Sequence, residues 1–258
     1  MTVSFGWGPA GARALAAPAA DRADRVDRAD GAACVVVVDV LSFTTAVGVA
    51  VEAGTAVYPY RWRDESAAAY AREKDAVLAV GRGAATPEHP YSLSPAALRA
   101  APSPARLVLP SPNGSTISAE AAAGGATVIA ASLRNAGAVA RRLAAHGYGG
   151  ADRPLTVVAA GERWPDGSLR PALEDLLGAG AVLAALRAER PDLTLTPEAT
   201  AAATLWTATK DPVAALRGCE SGRELYAYGC ARDVEVAAET DASAVVPVLV
   251  DGAFQEAP

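Results

Sequence analysis

At 258 residues the chain can form one large domain or two small ones, with enough material for a substantial core. Hydrophobic residues make up 51% of the sequence and aromatic residues only 5%, so the core must consist mainly of Ala, Val and Leu. A net charge of −6 argues against nucleic acid or an anionic membrane as the main partner. It does not argue against a small anionic substrate, because a few arginines can reverse the local sign.

The cysteines and the start of the chain indicate the compartment. Cys34, Cys219 and Cys230 are scattered and form no C-x-x-C motif, which is typical of free thiols in a reducing environment. The first residues do not read as a signal peptide, and no apolar run reaches the roughly 18 residues that would span a bilayer. We therefore expect a soluble, cytoplasmic protein without a membrane partner. The oligomeric state stays open, a homodimer included.

Strands and helices alternate along the first half of the chain. The pattern predicts strands at Thr2–Phe5, Val35–Asp39, Thr55–Tyr60 and Ala76–Val80, and helices before Asp21, at Ala46–Glu52, at 64–74 and at Pro95–Ala100. The segment Asp21–Asp30, DRADRVDRAD, alternates in charge and is expected to be solvated.

The second half repeats the alternation. It predicts strands at Arg106–Leu109, Thr127–Ala130, Leu155–Ala159 and Ala244–Val250, and helices after Asn113, after Ala131, at Ala172–Arg187, at 197–209 and at 212–228. This order favours an α/β fold, a three-layer α/β/α-type sandwich with a mostly parallel, mixed central sheet. We treat residues 1–258 as a single domain, and a division into two subdomains near 104–125 stays open.

The most informative stretch is Val35–Asp39 and the hydroxyl residues that follow it. Four consecutive valines predict a strand buried on both faces, and this strand ends on the carboxylate of Asp39. Ligands of open α/β sheets bind beyond the carboxyl ends of strands, where the next helix begins. Ser42, Thr44 and Thr45 therefore stand where a helix start could meet an anion. An ordinary helix-capping turn is an equally good interpretation of this stretch alone.

Four turns after predicted strands carry polar groups of this kind. They are Asp39 with Ser42, Thr44 and Thr45; Pro112 to Thr116; Ser132 with Arg134 and Asn135; and Gly161-Glu162, continuing to Glu174-Asp175. In a parallel sheet such ends meet along one edge, so we expect the four turns to converge. Carboxylates without a His or Cys cluster favour Mg²⁺, which takes oxygen ligands.

Six motifs in order carry a resemblance to a known family. They are VVVVDVLSFTTAV, Ser94-Pro95, SPNGST, ASLRNA, LEDLLGAGAV and DVEVAAETDASAVVPVL. Over nearly the whole chain the sequence resembles the 2-phosphosulfolactate phosphatase (ComB-like) family. The resemblance implies a Mg²⁺-dependent phosphatase of coenzyme M biosynthesis that acts on a small anionic phosphate or sulfonate substrate, on the ComB-like α/β fold.

The resemblance also implies roles for individual residues. Asp39, Glu174 and Asp175 become candidates for metal binding or water activation. Substrate contacts are expected from Ser42, Thr44, Thr45, Arg82, Asn113, Gly114, Ser115, Ser132, Arg134 and Asn135. Asp233 and Asp241 match family positions, and a capping role for them is equally open. Glu174 and Asp175 are adjacent on a helix, so we expect only one to face the site and the other to bond backbone.

This chain departs from the family pattern at one important turn. Where the family has Arg-Ala after D-V-L, the chain has Ser42-Phe43, which removes a bidentate anion ligand. We expect Arg134, or alternatively Arg82, to restore that charge from a neighbouring turn. A second departure, Ser111-Pro112 before Asn113, indicates an altered pocket.

Three other interpretations make different demands on the sequence. A haloacid-dehalogenase-type phosphatase needs a second aspartate two residues after Asp39, where this chain has Leu41. A dinucleotide-binding fold needs a glycine-rich turn after the first strand, and that turn is absent. The serious alternative is a catalytically altered, anion-binding member of the same fold without phosphatase turnover.

Overall fold

The computed structural model describes residues 2–16, 33–61, 64–150 and 152–256. The predicted connector Asp21–Asp30 lies outside these residues. Within them, ten strands form one mixed sheet and two more form a short hairpin. The strands are β1 (Thr2–Trp7), β2 (Cys34–Val38), β3 (Ala56–Tyr60), β4 (Val77–Leu78), β5 (Arg106–Pro110), β6 (Thr127–Ala131), β7 (Leu155–Ala159), β8 (Glu162–Arg163), β9 (Leu169–Arg170), β10 (Thr194–Leu195), β11 (Pro247–Val250) and β12 (Ala253–Glu256).

Helices connect the strands and cover both faces of the sheet. The described residues form α1 (Gly8–Ala16), α2 (Phe43–Glu52), α3 (Glu65–Glu73), α4 (Pro95–Ala100), α5 (Gly114–Ala123), α6 (Ala136–Ala145), α7 (Leu173–Glu189), α8 (Pro197–Ala208), α9 (Pro212–Gly218), α10 (Glu220–Ala227) and α11 (Ala231–Ala237). Short 3₁₀ turns lie at Arg82–Ala84 and Leu133–Asn135. No helix of the described residues is long and apolar enough to cross a membrane.

The sheet consists of two parallel sets of strands joined by an antiparallel hairpin. Its order is β10-β1-β7-β2-β6-β11-β12-β3-β5-β4. Strands β10, β1, β7, β2 and β6 pair in parallel, as do β3, β5 and β4. Three antiparallel pairings separate β6 from β3, so the second set runs opposite to the first. The sheet is therefore mixed as well as mostly parallel.

The core has two halves, one on each face of the sheet. Alternate side chains of β2 point to opposite faces, because successive residues of a strand do so. Val36 and Val38 pack with apolar residues of α6, α7 and α8, whereas Val35 and Val37 pack with those of α2 and α5. These two clusters establish the helix–sheet–helix layering and confirm the predicted three-layer α/β fold.

Two glycines of the LEDLLGAGAV motif let α7 approach its neighbours closely. A Cβ on Gly178 would lie 2.7 Å from a methyl carbon of Val40 and 2.8 Å from one of Val38. A Cβ on Gly180 would lie 2.2 Å from the carbonyl oxygen of Ala202 in α8. The close packing fixes the start of α7, where Glu174 and Asp175 lie, beside the end of β2.

Most predicted elements are present, and the main differences lie in the second half of the chain. The predicted helix over 212–228 is divided at Cys219 into α9 and α10, and the thiol of Cys219 accepts the N–H of Gly222 at 3.3 Å. The helix α11 and the strands β8, β9, β10 and β12 were not predicted, and the predicted loop between β7 and α7 contains the β8–β9 hairpin. All of these elements are short, and β12 is specified by pairing with β11 and β3 rather than by its own pattern.

Candidate active site

Most of the candidate site residues lie in four turns, each named after the strand that precedes it. They are the β2 turn (residues 39–45), the β5 turn (111–116), the β6 turn (132–135) and the β7 turn (160–162).

Asp39 joins the β2 turn to the β5 turn. Its carboxylate is buried, and Oδ1 accepts the N–H of Phe43 at 3.1 Å, while Oδ2 accepts the N–H of Gly114 at 2.9 Å. The second bond crosses between the two oppositely directed sets of strands. We expected these turns to meet because the ends of parallel strands share one edge of a sheet. The strands β2 and β5 are not parallel to each other, so that reason does not account for the contact.

The threonine hydroxyls of the β2 turn are used to hold its backbone. Thr44 Oγ1 donates to the carbonyl of Asp39 at 2.8 Å and accepts its N–H at 2.9 Å. Thr45 Oγ1 donates to the carbonyl of Val40 at 2.8 Å. Both side chains are buried, so their bonds position Asp39.

Asp175 joins the β2 turn to the β7 turn. Oδ1 accepts the N–H of Val40 at 2.7 Å, and Oδ2 accepts the N–H of Gly161 at 2.8 Å. Of the two adjacent acids of α7, Asp175 is thus the one that bonds backbone. Glu174 is 2% exposed, and its Oε2 is buried without a hydrogen-bond partner among the described residues.

Glu162 joins the β7 turn to the β5 turn. Its Oε2 accepts a hydrogen bond from Nδ2 of Asn113 at 2.9 Å. Together with the bonds of Asp39 and Asp175, this contact connects the β2, β5 and β7 turns pairwise. The structure thus brings together three of the four turns that the sequence singled out.

Four carboxylates lie close enough here to repel one another. We call them the acid cluster: Asp39, Glu162, Glu174 and Asp175. Burial raises the pKa of Asp39 to about 6, against the lowering effect of its two backbone hydrogen bonds. Burial, reinforced by the charges of Asp39 and Glu174, raises the pKa of Glu162 to about 7. Burial and the same two charges raise the pKa of Asp175 well above its usual value. The cluster therefore favours a proton or another cation.

Arg82 brings positive charge to the substituted position of the β2 turn. Its Nη2 donates to Oγ of Ser42 at 2.6 Å and to the carbonyl of Leu93 at 2.9 Å, and its Nε donates to Oδ2 of Asp233 at 3.0 Å. Asp233 is buried, and it also accepts hydrogen bonds from the hydroxyl of Ser94 and the N–H of Ala96. Asp233 thereby fixes the arginine beside Ser42.

Arg134 is directed elsewhere, which corrects our first choice for the replacement charge. Its Nε donates to Glu239 and its Nη1 and Nη2 to Glu52, each at 3.1 Å. A guanidinium that is 5% exposed and already bonded to two carboxylates has little capacity left for a substrate anion. Arg82, the alternative, is the arginine that lies beside Ser42.

The remaining candidates of the β5 and β6 turns support the backbone. Ser132 and Asn135 form a capping box, and Nδ2 of Asn135 donates to the carbonyl of Val245 at 3.0 Å. Ser115 Oγ donates to the carbonyl of Tyr60 at 2.9 Å. Asp241 caps α6 by accepting the N–H of Gly137 at 2.7 Å. The polar side chains of the β6 turn thus bond within the turn, to the backbone of Val245, and to Glu52 and Glu239.

A cavity of about 440 Å³ opens beside the cluster. Its walls include Leu41, Arg82, Glu162, Glu224, Leu225 and Tyr228. The β8–β9 hairpin is attached to α10 next to this cavity, because Arg170 forms a bidentate pair with Glu224, with N–O distances of 2.9 and 3.1 Å. The cavity is large enough for a small phosphate ester.

The sequence placed Glu162 in one of the four converging turns but gave it no role at the site, and it did not identify Asp233 as the partner of Arg82. Glu162 directly follows Gly161 at the end of a buried strand, which is a usable sequence signal. The pairing of Asp233 with Arg82 spans 151 positions of the chain, and no local pattern could reveal it.

The residues present can be tested against the Mg²⁺ that the resemblance implies. Within the described residues, no group of three or more His, Cys, Asp or Glu side chains is arranged to hold a metal ion. Mg²⁺ usually needs only one or two carboxylates, because water and substrate phosphate supply the other ligands. The unpartnered Oε2 of Glu174, next to the repelling charges of Asp39 and Glu162, fits this requirement.

Gly114 provides a prediction about the contact between the β2 and β5 turns. A Cβ there would lie 2.4 Å from Cδ1 of Phe43 and 2.8 Å from Oδ2 of Asp39. We expect Gly114→Ala to lower the free energy of unfolding by about 1–3 kcal/mol, the usual cost of overpacking, and to displace Asp39. The matched control is Gly48→Ala in α2, where a Cβ meets nothing within 4 Å. Its expected effect in chemical denaturation is a gain of up to about 1 kcal/mol. Equal stability of the two variants would contradict the close contact at Gly114.

The raised pKa of Glu162 gives a second prediction, which concerns stability against pH without added divalent cations. The folded protein keeps the proton of Glu162 up to pH 7, whereas the unfolded chain loses it near the usual value of 4.5. Between these values the folded state binds more protons, so stability falls as pH rises. We expect Glu162→Gln to be more stable than the parent by about 1–3 kcal/mol at pH 8 and to lose most of that advantage at pH 5. Denaturation at the two pH values measures this, and an advantage independent of pH would rule out the titration of Glu162.

Comparison with known proteins assigns the chain to a family. A family model described as 2-phosphosulpholactate phosphatase matches residues 20–252. A curated relative from Deinococcus radiodurans, named "Probable 2-phosphosulfolactate phosphatase", is 34% identical over 220 residues, which are 84% of this chain and 87% of the relative. The β2 and β5 turns and the start of α7 fall inside both the matched range and the motifs that carry the resemblance, and the β7 turn lies inside the matched range. The chain belongs to the 2-phosphosulpholactate phosphatase family.

Proposed function

We propose that this protein is a phosphoric monoester hydrolase that acts on 2-phosphosulfolactate or a related phosphorylated 2-hydroxy acid. The observation that carries the proposal is the meeting of three turns at one acid cluster, with Arg82 beside it at the wall of a cavity. Family membership supplies the reaction class, and the site offers groups of both charges at one place, as phosphate-ester hydrolysis requires.

Arg82 binds the anionic substrate in this proposal. Its Nη1 makes no hydrogen bond to any described residue, and its Nη2 donates to the hydroxyl of Ser42 in the β2 turn. A guanidinium presents its donors in a planar fork that matches phosphate or sulfonate oxygens. Asp233 keeps the fork oriented, so Arg82 takes over the charge that the family places in the β2 turn.

Asp39 acts on the water that attacks phosphorus. Each of its oxygens accepts one backbone N–H and keeps a second lone pair that can accept from water. The rigid bonds to the β2 and β5 turns hold this carboxylate in one orientation. Positioning of this kind is an important part of phosphoryl-transfer catalysis.

The metal proposal concerns Asp39 and Glu174. These two carboxylates would hold Mg²⁺, Asp39 through the lone pairs that its backbone hydrogen bonds leave open and Glu174 through its unpartnered Oε2. Asp175 accepts the N–H groups of Val40 and Gly161 and so joins the β2 turn to the β7 turn. When bound, Mg²⁺ supplies positive charge that stabilises the developing charge on phosphate oxygens. Asp175 then serves to position the turns.

The comparisons do not favour the alternative of an anion-binding protein without turnover. Its motive was the arginine missing from the β2 turn, and Arg82 supplies a guanidinium at that position. The acid cluster is also hard to explain in a pure anion binder, because buried carboxylates repel anions.

Steady-state phosphate release tests the substrate class. We expect the purified protein to hydrolyse 2-phosphosulfolactate and 2-phospholactate in the presence of Mg²⁺, and to lose activity with a chelator. Comparison of the two substrates shows how much the sulfonate contributes to kcat/KM. Unchanged activity after removal of divalent cations would refute the metal assignment, and hydrolysis of neither substrate would refute the proposed function.

A further inference from the structure

Glu162 lies between two cavities. It lines the cavity of about 440 Å³ and also a second one of about 240 Å³, whose walls include Trp7, Arg13 and Asn113. Its Oε2 is fixed by Nδ2 of Asn113 at 2.9 Å, and its Oε1 accepts no hydrogen bond from the described residues. One oxygen is therefore held in place while the other is free to reach a ligand.

The other acids of the cluster are differently engaged. Both oxygens of Asp39 and both oxygens of Asp175 accept backbone N–H groups, so these two carboxylates are held by the backbone of the turns. Glu174 is almost completely buried. Glu162 accepts only one neutral amide donor and faces open space, so it is the member suited to carry a proton to a substrate.

The chemistry of the proposed reaction requires such a proton. The leaving group of a phosphorylated 2-hydroxy acid is an alkoxide, which is a poor leaving group unless its oxygen is protonated as the bond to phosphorus breaks. A positioned general acid of this kind typically contributes about 10²–10⁴-fold to the rate.

We propose that Glu162 is the general acid that protonates the leaving oxygen of the substrate. This inference deepens the proposed function and rests on it. The bond between phosphorus and the ester oxygen breaks, its electron pair goes to that oxygen, and the carboxyl of Glu162 supplies the proton. Water forms the new bond to phosphorus, one of its protons stays on the phosphate product and the other restores Glu162.

The test compares leaving groups that differ in their need for a proton. The substrates are 2-phosphosulfolactate, which releases an alkoxide, and p-nitrophenyl phosphate, which releases a stable phenolate. Gln at position 162 can still accept the hydrogen bond of Asn113, so Glu162→Gln removes the proton and keeps that contact. We expect kcat on 2-phosphosulfolactate to fall about 10²–10⁴-fold and kcat on p-nitrophenyl phosphate to fall less than tenfold.

A second pair covers the case in which the cavity rejects aryl phosphates. The pair is 2-phospholactate and its 3,3,3-trifluoro analogue, which has a far more acidic hydroxyl on the leaving group. The loss caused by Glu162→Gln is then expected to be much smaller for the fluorinated ester. Glu162→Asp keeps a carboxyl and should retain more activity on 2-phospholactate than Glu162→Gln.

The matched control is Glu224→Gln, which changes the other glutamate at the wall of the same cavity. It should change the rates on both substrates of a pair by the same factor. An equal loss on both substrates in Glu162→Gln, or no loss on either, would overturn the general-acid role. If the parent protein hydrolyses none of the four esters, the proposed function fails instead, and the two failures are thereby distinguished.

Discussion

Asp39→Asn is expected to reduce phosphate release by about 10²–10⁴-fold at saturating Mg²⁺. The carboxylate lies at the junction of the β2 and β5 turns and carries the charge assigned to water activation and metal binding. An asparagine would also place an NH₂ group against one of the two backbone N–H donors, which leaves that donor unsatisfied. Steady-state kinetics over a range of Mg²⁺ concentrations measures the effect.

Control measurements separate the chemistry of Asp39 from its contribution to the fold. Circular dichroism and denaturation should show a folded Asp39→Asn variant, and excess Mg²⁺ should not restore its turnover. A folded variant with activity near that of the parent would contradict the assignment of Asp39.

Arg82→Ala is expected to raise KM by about ten- to a hundredfold, because loss of a charge-assisted hydrogen bond costs about 1.5–3 kcal/mol. Arg82→Lys should recover only part of this, since a point charge lacks the fork geometry. The same change leaves Asp233 buried and without its ion-pair partner, so stability falls as well.

Two further variants make the Arg82 prediction specific. In Arg82→Ala with Asp233→Asn the uncompensated charge is gone, so stability should recover while KM stays high. Arg134→Ala removes an arginine that is bonded to Glu52 and Glu239. Arg134→Ala should lower stability and leave KM within about twofold of the parent, because Arg134 bonds Glu52 and Glu239 and the substrate anion is assigned to Arg82. A KM that rises in Arg134→Ala and not in Arg82→Ala would reverse the assignment.

The strands and the polar turns that follow them were predictable from local patterns. The four valines before Asp39 fix the central strand by their β-branched side chains, and the helices α4 and α5 begin close to the predicted residues. The layering was also predictable, because alternating strands and helices cover both faces of a sheet. Local patterns therefore specify where each strand and helix starts and which polar residues follow each strand.

The sheet's reversal was not predictable in the same way. The β11–β12 hairpin inserts between β6 and β3 and turns β3, β5 and β4 against the other set. Pairing of this kind depends on contacts between distant segments, such as Phe254 with Val57. We expected these turns to meet because their strands would be parallel. Asp39 does contact Gly114, but the two strands that precede them are not parallel.

The choice between Arg82 and Arg134 shows the same limit at the site. Both arginines follow predicted strands, and nothing in their local sequence tells them apart. Their roles differ because of acids far along the chain, Asp233 for one and Glu52 with Glu239 for the other. Long-range ion pairs decide which positive charge stays available, and only the folded structure reveals them.

The most direct test of the central claim, that the β2, β5 and β7 turns build a phosphatase site, is ³¹P NMR of 2-phosphosulfolactate incubated with a small amount of the protein and Mg²⁺. We expect the ester resonance to disappear over many turnovers while that of inorganic phosphate grows, and we expect Asp39→Asn largely to abolish this conversion. If the ester resonance only broadens or shifts at high protein concentration and no phosphate forms, the protein binds the anion without turnover and is not a phosphatase.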